Sequence, residues 1–273
     1  AAACRNDLIE FCKHMQPDYK VGKHHRILAD LLTKIALGLE DRVCVNIPPR
    51  HGKSQLVSIY FPAWFLGKFP NKKILMVSHT TDLAVDFGRK VRNLIASDAY
   101  KEVFPTVDLA ADSKSAGRWN TNVGGEYFAC GVGSALAGRG ADLLLIDDPH
   151  NEQDIINGNF DVFEKAYEWY TFGARTRLMP GGRVAIVQTR WHSLEWLSSL
   201  PYSTPTPPMR NPFGPSSLIL LPCIVRKRRC PYFSGTRSIS RTPRQKKRQL
   251  LSVSGGRCGR KKTHLIVTTL FSH

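Results

Sequence analysis

Acidic residues are missing from the last part of this chain: all 22 Asp and Glu of its 273 residues lie at or before Glu195. Ordinary usage would put roughly nine in a stretch as long as residues 196–273. The absence excludes two-metal nuclease chemistry there, which needs clustered carboxylates, and it localises the charge. Residues 1–195 hold 24 of the 39 Lys and Arg, a balance of +2, whereas residues 196–273 hold the other 15 and no acid, so the formal +17 belongs almost wholly to the tail. Cysteine pairs are missing too. The seven Cys form no C-x-x-C, and their odd number points away from a disulfide framework or a zinc ribbon. Cys223, Cys230, Cys258 and His264 have the spacing of no closed metal site, and free thiols in a reducing cytoplasm are expected. No apolar run reaches membrane-spanning length, the longest lying near residues 218–225. The N-terminal AAACRNDLIE carries neither a secretory pattern nor a starting Met, as a cut N-terminus would look.

What is present is a pair of segments about ninety residues apart, NIPPRHGKS at residues 46–54 and LLLIDDPH at residues 143–150. The first runs from an apolar strand candidate at 43–47 through a tight loop into Gly52, Lys53 and Ser54 and then a helix-forming stretch. A phosphate cradle needs that order: backbone amides and a helix N-terminus face the anion, a lysine reaches the outer phosphates and a hydroxyl binds magnesium. The usual glycine five residues before Gly52 is replaced by Ile47, and Pro48 and Pro49 carry no N–H. The amides of residues 51–54, from His51 to Ser54, and the Lys53 ammonium must then hold the phosphates, with Arg50 supplying further positive charge. The second segment is a buried strand ending in two carboxylates, Asp147 to accept from a magnesium–water shell and Asp148 to orient an attacking water. Glu152 is the alternative for that second role.

Along the chain, helices are predicted at 7–15, 24–39, 53–66, 81–96 and 159–178. Strands are predicted at 43–47, 72–78, 143–147 and 184–188, with a hairpin around Gly124 and Gly125. Strand and helix alternate, so the expected fold class is α/β: a P-loop NTPase with a mostly parallel sheet, helices on both faces and the ligand at the carboxyl ends of the strands. The domain reading is a helical segment at 1–41, the ATPase core at 42–195 and a basic Pro/Ser/Arg-rich tail at 196–273. The tail contains RKRR, RQKKR and GRKK without apolar periodicity. Three readings of it stay open: a disordered arm gripping nucleic-acid phosphates, an ordered domain, or an out-of-frame continuation beginning near residue 195, the last being favoured.

PPRHGKS, ILMVSHTTDLAVDFGRKVRNLI, GVGSALAGRGADLLLIDDPHN and AIVQTRWH together resemble the ATPase domain of tailed-phage or prophage terminase large subunits, from about residue 8 to His192. The resemblance implies a magnesium-dependent ATPase that moves double-stranded DNA into a procapsid. ATP and Mg2+ would be its cofactors. The terminase small subunit, the portal protein and further copies in a ring would be its partners, in the host bacterial cytoplasm and with no membrane. It also implies roles: Lys53 and Ser54 on phosphates and magnesium, Arg50 near the γ-phosphate, Asp147 on the metal, and Asp148 where many members carry a glutamate one methylene longer. Thr189 would couple the γ-phosphate to a lid, and Arg139 would enter a neighbouring subunit's site. The family's nuclease domain is not expected in this chain, which has no carboxylate side chain after Glu195.

Plainer readings stand beside these. Arg139 suits a turn cap or a surface carboxylate, Thr189 an ordinary strand end, and His24 and His25 a capping or solvated pair rather than an adenine reader. Phe160, Phe163, Tyr167 and Tyr170 follow helical spacing and are expected in the core or at an interface, not as a base-stacking platform. Two rival functions also remain: another P-loop DNA-dependent ATPase, helicase or recombinase-like, and a non-enzymatic basic DNA-binding remnant with a crippled core.

Overall fold

The computed structural model describes residues 1–113 and 115–189 and, as backbone alone, the strand Leu265–Thr269. The chain divides into two units, of which the second, Ile224–Lys262, lies outside the described residues. So do Cys223, Cys230, Cys258, His264 and the basic clusters.

Three helices come first: α1 (Ala2–Asn6), α2 (Leu8–Met15) and α3 (Lys23–Leu37). Asp7 starts α2 by accepting from the amides of Ile9 and Glu10 at 2.7 and 3.2 Å, satisfying donors that the first helical turn cannot pair internally. Gly38, left-handed at φ 72°, ends α3. Strand β1 (Arg42–Asn46) leads through the loop into a π-helical turn, Gln55–Tyr60, continued as α4 (Phe61–Lys68). Then follow β2 (Lys73–Ser78), α5 (Thr81–Ile95) and α6 (Asp98–Val103). The Gly124–Gly125 turn joins β3 (Arg118–Asn120) to β4 (Glu126–Gly131) as the antiparallel hairpin that the glycine pair predicts. Strand β5 (Ala141–Asp147) precedes α7 (Glu152–Ile156), α8 (Asp161–Glu168), a second π-helical turn, Trp169–Ala174, and β6 (Leu178–Gln188).

The sheet order is β3-β4-β2-β5-β6-β1-β7, parallel except for the hairpin strand. Its last member, β7 (Leu265–Thr269), pairs in parallel with β1 from Arg42↔Leu265 to Asn46↔Thr269. Within a C-terminal stretch expected to lack order, the β-branched run LIVTT therefore forms a strand.

Alternation along the strands sorts side chains into two cores. Val43, Val45, Ile74, Met76, Leu143, Leu145, Ala185 and Val187 face α2 to α6. Cys44, Leu75, Val77, Leu144, Ile146, Val184 and Ile186 face α8 and the turn after it. Period-two alternation with both faces buried is what a helix-covered parallel sheet requires. Phe11, Leu28 and Leu32 join the first cluster, so the N-terminal helices pack into the same core as the sheet. Phe163 and Tyr170 are buried in keeping with the core reading of their stripe, while Phe160 is 41% exposed at its start. Buried aromatics place their polar atoms on carbonyls: Trp64 Nε1 donates to Cys4 O at 2.9 Å and Tyr100 Oη to Ala63 O at 2.9 Å. Among the described residues no helix is long and apolar enough to cross a membrane.

Candidate nucleotide-phosphate site

Parallel pairing sets the carboxyl ends of the central strands level, with Ser78 opposite Asp147, Asp147 opposite Val187, and Asn46 opposite Gln188. Strand β6 runs between β5 and β1, so Thr189 leaves the sheet between the loop that starts at Ile47 and the carboxylates that end β5. The two motifs meet there. Lys53 Nζ lies 2.7 Å from Asp148 Oδ2, and the lysine side chain is only 8% exposed. The Thr189 amide donates to the other Asp148 oxygen at 2.7 Å. One carboxylate thus ties the loop lysine to the end of β6.

Asp148 is held by its backbone as well. Its N–H donates to Val187 O at 2.9 Å, and its carbonyl accepts from the His79 amide at 3.2 Å, with His79 Nδ1 also 3.2 Å away. The residue sits at φ 43°, a left-handed conformation uncommon outside glycine that directs the chain sharply out of the strand. Sequence reasoning gave no role to His79, which follows the last residue of β2.

Asp147 is nearly inaccessible, at 1% exposure. Burial, and then the neighbouring Asp148 charge, push its carboxyl up to about 6; the Ser58 and Ser54 hydroxyls and the Lys53 charge pull the other way. Ser58 Oγ donates to Asp147 Oδ2 at 2.6 Å. Ser54 is near enough to favour the charged form, yet Oδ1 is buried without a hydrogen-bond partner. A buried carboxylate oxygen left open beside a serine hydroxyl fits a magnesium ion or its coordinated water, an oxygen-seeking partner.

The loop is braced from α3. His25 Nδ1 accepts from the Gly22 amide at 2.9 Å, the capping role expected of this pair. His24 Nε2 donates to His51 O at 3.1 Å, and His51 Nδ1 donates to Pro49 O at 2.8 Å. Gly52 adopts φ 71°, and a Cβ there would stand 2.6 Å from His25 Nε2, so both the conformation and the close approach require glycine. Burial, followed by the charges of its histidine neighbours, lowers the His25 pKa, and burial pushes His150 down to about 4. Both rings are therefore neutral near pH 7.

Arg50 is not drawn into this set. It is exposed on the loop with φ 63°. Glu152 is exposed at the start of α7. Arg139 lies at the opposite end of the sheet, donating to Glu126 at 3.2 Å and stacking over Phe128 at 4.4 Å. Glu126 and Phe128 pair with Lys73 and Leu75, in the amino half of the sheet and two strands away from the strand that ends in Asp147, so within one chain Arg139 takes the surface-carboxylate role.

No protein-family model matches the chain, and comparison with curated proteins finds no match. Among solved structures, the chain is similar to the large terminase of bacteriophage HK97, at 14% identity and a TM-score of 0.43 over 68% of this chain and 37% of that one. It is also similar to a variant of the Thermus phage P74-26 large terminase ATPase domain, at 18% identity and a TM-score of 0.44 over 70% of this chain and 72% of that one. The chain thus spans little more than a third of the HK97 protein's length.

Proposed function

We propose that this chain is a magnesium-dependent P-loop ATPase with its catalytic core in residues 42–195. The observation that carries the reading is the Lys53–Asp148–Thr189 linkage beside the buried Asp147. In this reading the amides of residues 51–54 and the Lys53 ammonium hold the phosphates, Lys53 exchanging its carboxylate partner for them. Asp148, released from Lys53, orients the attacking water. Ser54 and Asp147 would hold Mg2+, whose charge offsets that of the phosphates. Catalysis is then mostly positioning in a partly dry site. The Thr189 amide follows Asp148, so a change at the outer phosphate is passed to β6 and the chain beyond it.

The terminase-like motifs of the sequence extend the proposal to a motor subunit. Such a subunit would move double-stranded DNA into a procapsid, working in a ring with a small subunit and a portal protein. Arg139, too distant to serve its own chain's site, would then act on a neighbour's. In the full chain, Lys53→Ala is expected to abolish DNA-stimulated ATP hydrolysis and to weaken nucleotide binding in equilibrium titrations. Undiminished hydrolysis in that variant would sink the assignment.

A further inference from the structure

Ser58 is fully buried, at 0% exposure, in the π-helical turn Gln55–Tyr60 that follows the loop. A helical serine ordinarily returns its hydroxyl to a carbonyl three or four residues back. Ser58 instead donates across the fold to Asp147 Oδ2 at 2.6 Å, 89 residues away in sequence. It does so from a wide turn, in which the Phe61 amide bonds to Leu56 O five residues back. Such turns are rare and collect at functional sites.

The hydroxyl occupies one Asp147 oxygen and leaves the other, Oδ1, buried and unpartnered. A carboxylate pinned at one oxygen cannot rotate freely, so the remaining lone pairs keep one direction. We propose that Ser58 is a positioning residue for Asp147, fixing the carboxylate so that Oδ1 is presented to magnesium or a magnesium-bound water beside Ser54. The inference rests on the nucleotide-site reading above. It differs from a purely structural role, in which the carboxylate merely satisfies a buried hydroxyl, because it makes metal affinity depend on that hydroxyl.

The test compares Ser58→Ala and Ser58→Thr with the parent in the full chain. Binding of a fluorescent ATP analogue is titrated first with EDTA and then with increasing Mg2+, and thermal unfolding is followed alongside. Orienting partners of metal ligands typically contribute ten- to a hundredfold in metal affinity. Ser58→Ala is expected to bind the metal-free analogue as the parent does but to need at least roughly tenfold more Mg2+ for the half-maximal gain in affinity. Ser58→Thr, which keeps the hydroxyl, should return to within a few-fold of the parent. Ser58→Cys, of similar volume but a weak donor, replaces the alanine variant if that one does not fold. An unchanged Mg2+ midpoint in Ser58→Ala, whatever its thermal stability, overturns the proposal, as does a folded Ser58→Thr that behaves like alanine. Lys53→Ala separates the two levels. If it leaves metal-free binding intact, the nucleotide site itself is wrong; if it abolishes binding while Ser58→Ala shifts no midpoint, only the role of Ser58 fails.

Discussion

The two ends of the sheet each carry a Lys–Asp pair of the same length, and the pairs are not equivalent. At the amino end Lys72 meets Asp142 at 2.7 Å, with the lysine side chain 45% exposed. At the carboxyl end Lys53 meets Asp148 at 2.7 Å, with the lysine 8% exposed. Water screens the first pair, whose contribution lies in the range of about 0–1 kcal/mol. The second holds a lysine that burial would otherwise penalise, against a carboxylate on strained backbone. Around Lys72 the charges are numerous and interchangeable, Arg118, Arg139 and Lys73 all lying within 4.0 Å of Glu126. Around Lys53 each partner is single and directional. Distance alone does not mark a site; burial, strain and irreplaceable partners do.

The largest effect expected from breaking this contrast follows Asp148→Asn. The amide keeps the shape and can still accept from the Thr189 amide, but it cannot take a proton from water. Turnover in single-turnover ATP hydrolysis should fall by about 10²–10⁴-fold, while nucleotide affinity is kept because Lys53 loses only a competitor for the phosphates. Turnover near that of the parent would move the water-orienting role to another acid, Glu152 being the first to test.

A smaller effect concerns Asp147 and pH. Its folded pKa of about 6 stands above the unfolded value of about 4. Between these values the folded chain keeps a proton that the unfolded chain has released. The group's stabilising contribution is therefore complete below about pH 4 and lost as pH rises through about 6. Above that, folding buries a charge. Asp147→Asn removes this cost and still offers Ser58 an acceptor. Without Mg2+, its thermal midpoint should exceed the parent's by a few degrees near pH 7.5, and the gap should close towards about pH 4.5. A gap that does not change with pH would mean that Asp147 does not titrate in this way.

Much of this contrast could be read before the structure. The GKS loop and the IDD strand end were both placed at strand ends from the sequence, and short apolar runs located β1, β2, β5 and the carboxyl half of β6. The Gly124–Gly125 turn acts locally and was legible as well, whereas the helix predicted to run to residue 39 stops at Leu37, where Gly38 turns left-handed. Ser58 was not legible. A serine inside an apolar helix has no signature, because its meaning comes from a strand end 89 residues away. His79 escaped for the same reason. The π-helical turns also went unseen, since widening a turn leaves the apolar pattern almost unchanged over six residues. The helix predicted at 159–178 is helical almost to its end but changes pitch, running as α8 to Glu168, a π-helical turn to Ala174 and a 3-10 turn to Arg177, with only Leu178 in β6.

The smallest effects belong to the amino end, and they sharpen the comparison by being small. Arg139 shares Glu126 with Arg118 and is itself 28% exposed. Removing it by Arg139→Ala should cost no more than about 1 kcal/mol in urea unfolding, since the carboxylate keeps a cation and water reaches the gap. Nucleotide affinity of the isolated chain should not change, because the side chain lies on Glu126 and Phe128 of β4, two strands away from the strand that ends in Asp147. If hydrolysis nonetheless falls, and falls only at concentrations where copies associate, the arginine is acting on a neighbour and its bond to Glu126 is a resting place. If hydrolysis is unchanged at every concentration, the surface pair is all that Arg139 provides. The two ends of the sheet would then divide cleanly into one that does chemistry and one that only holds its charges in balance.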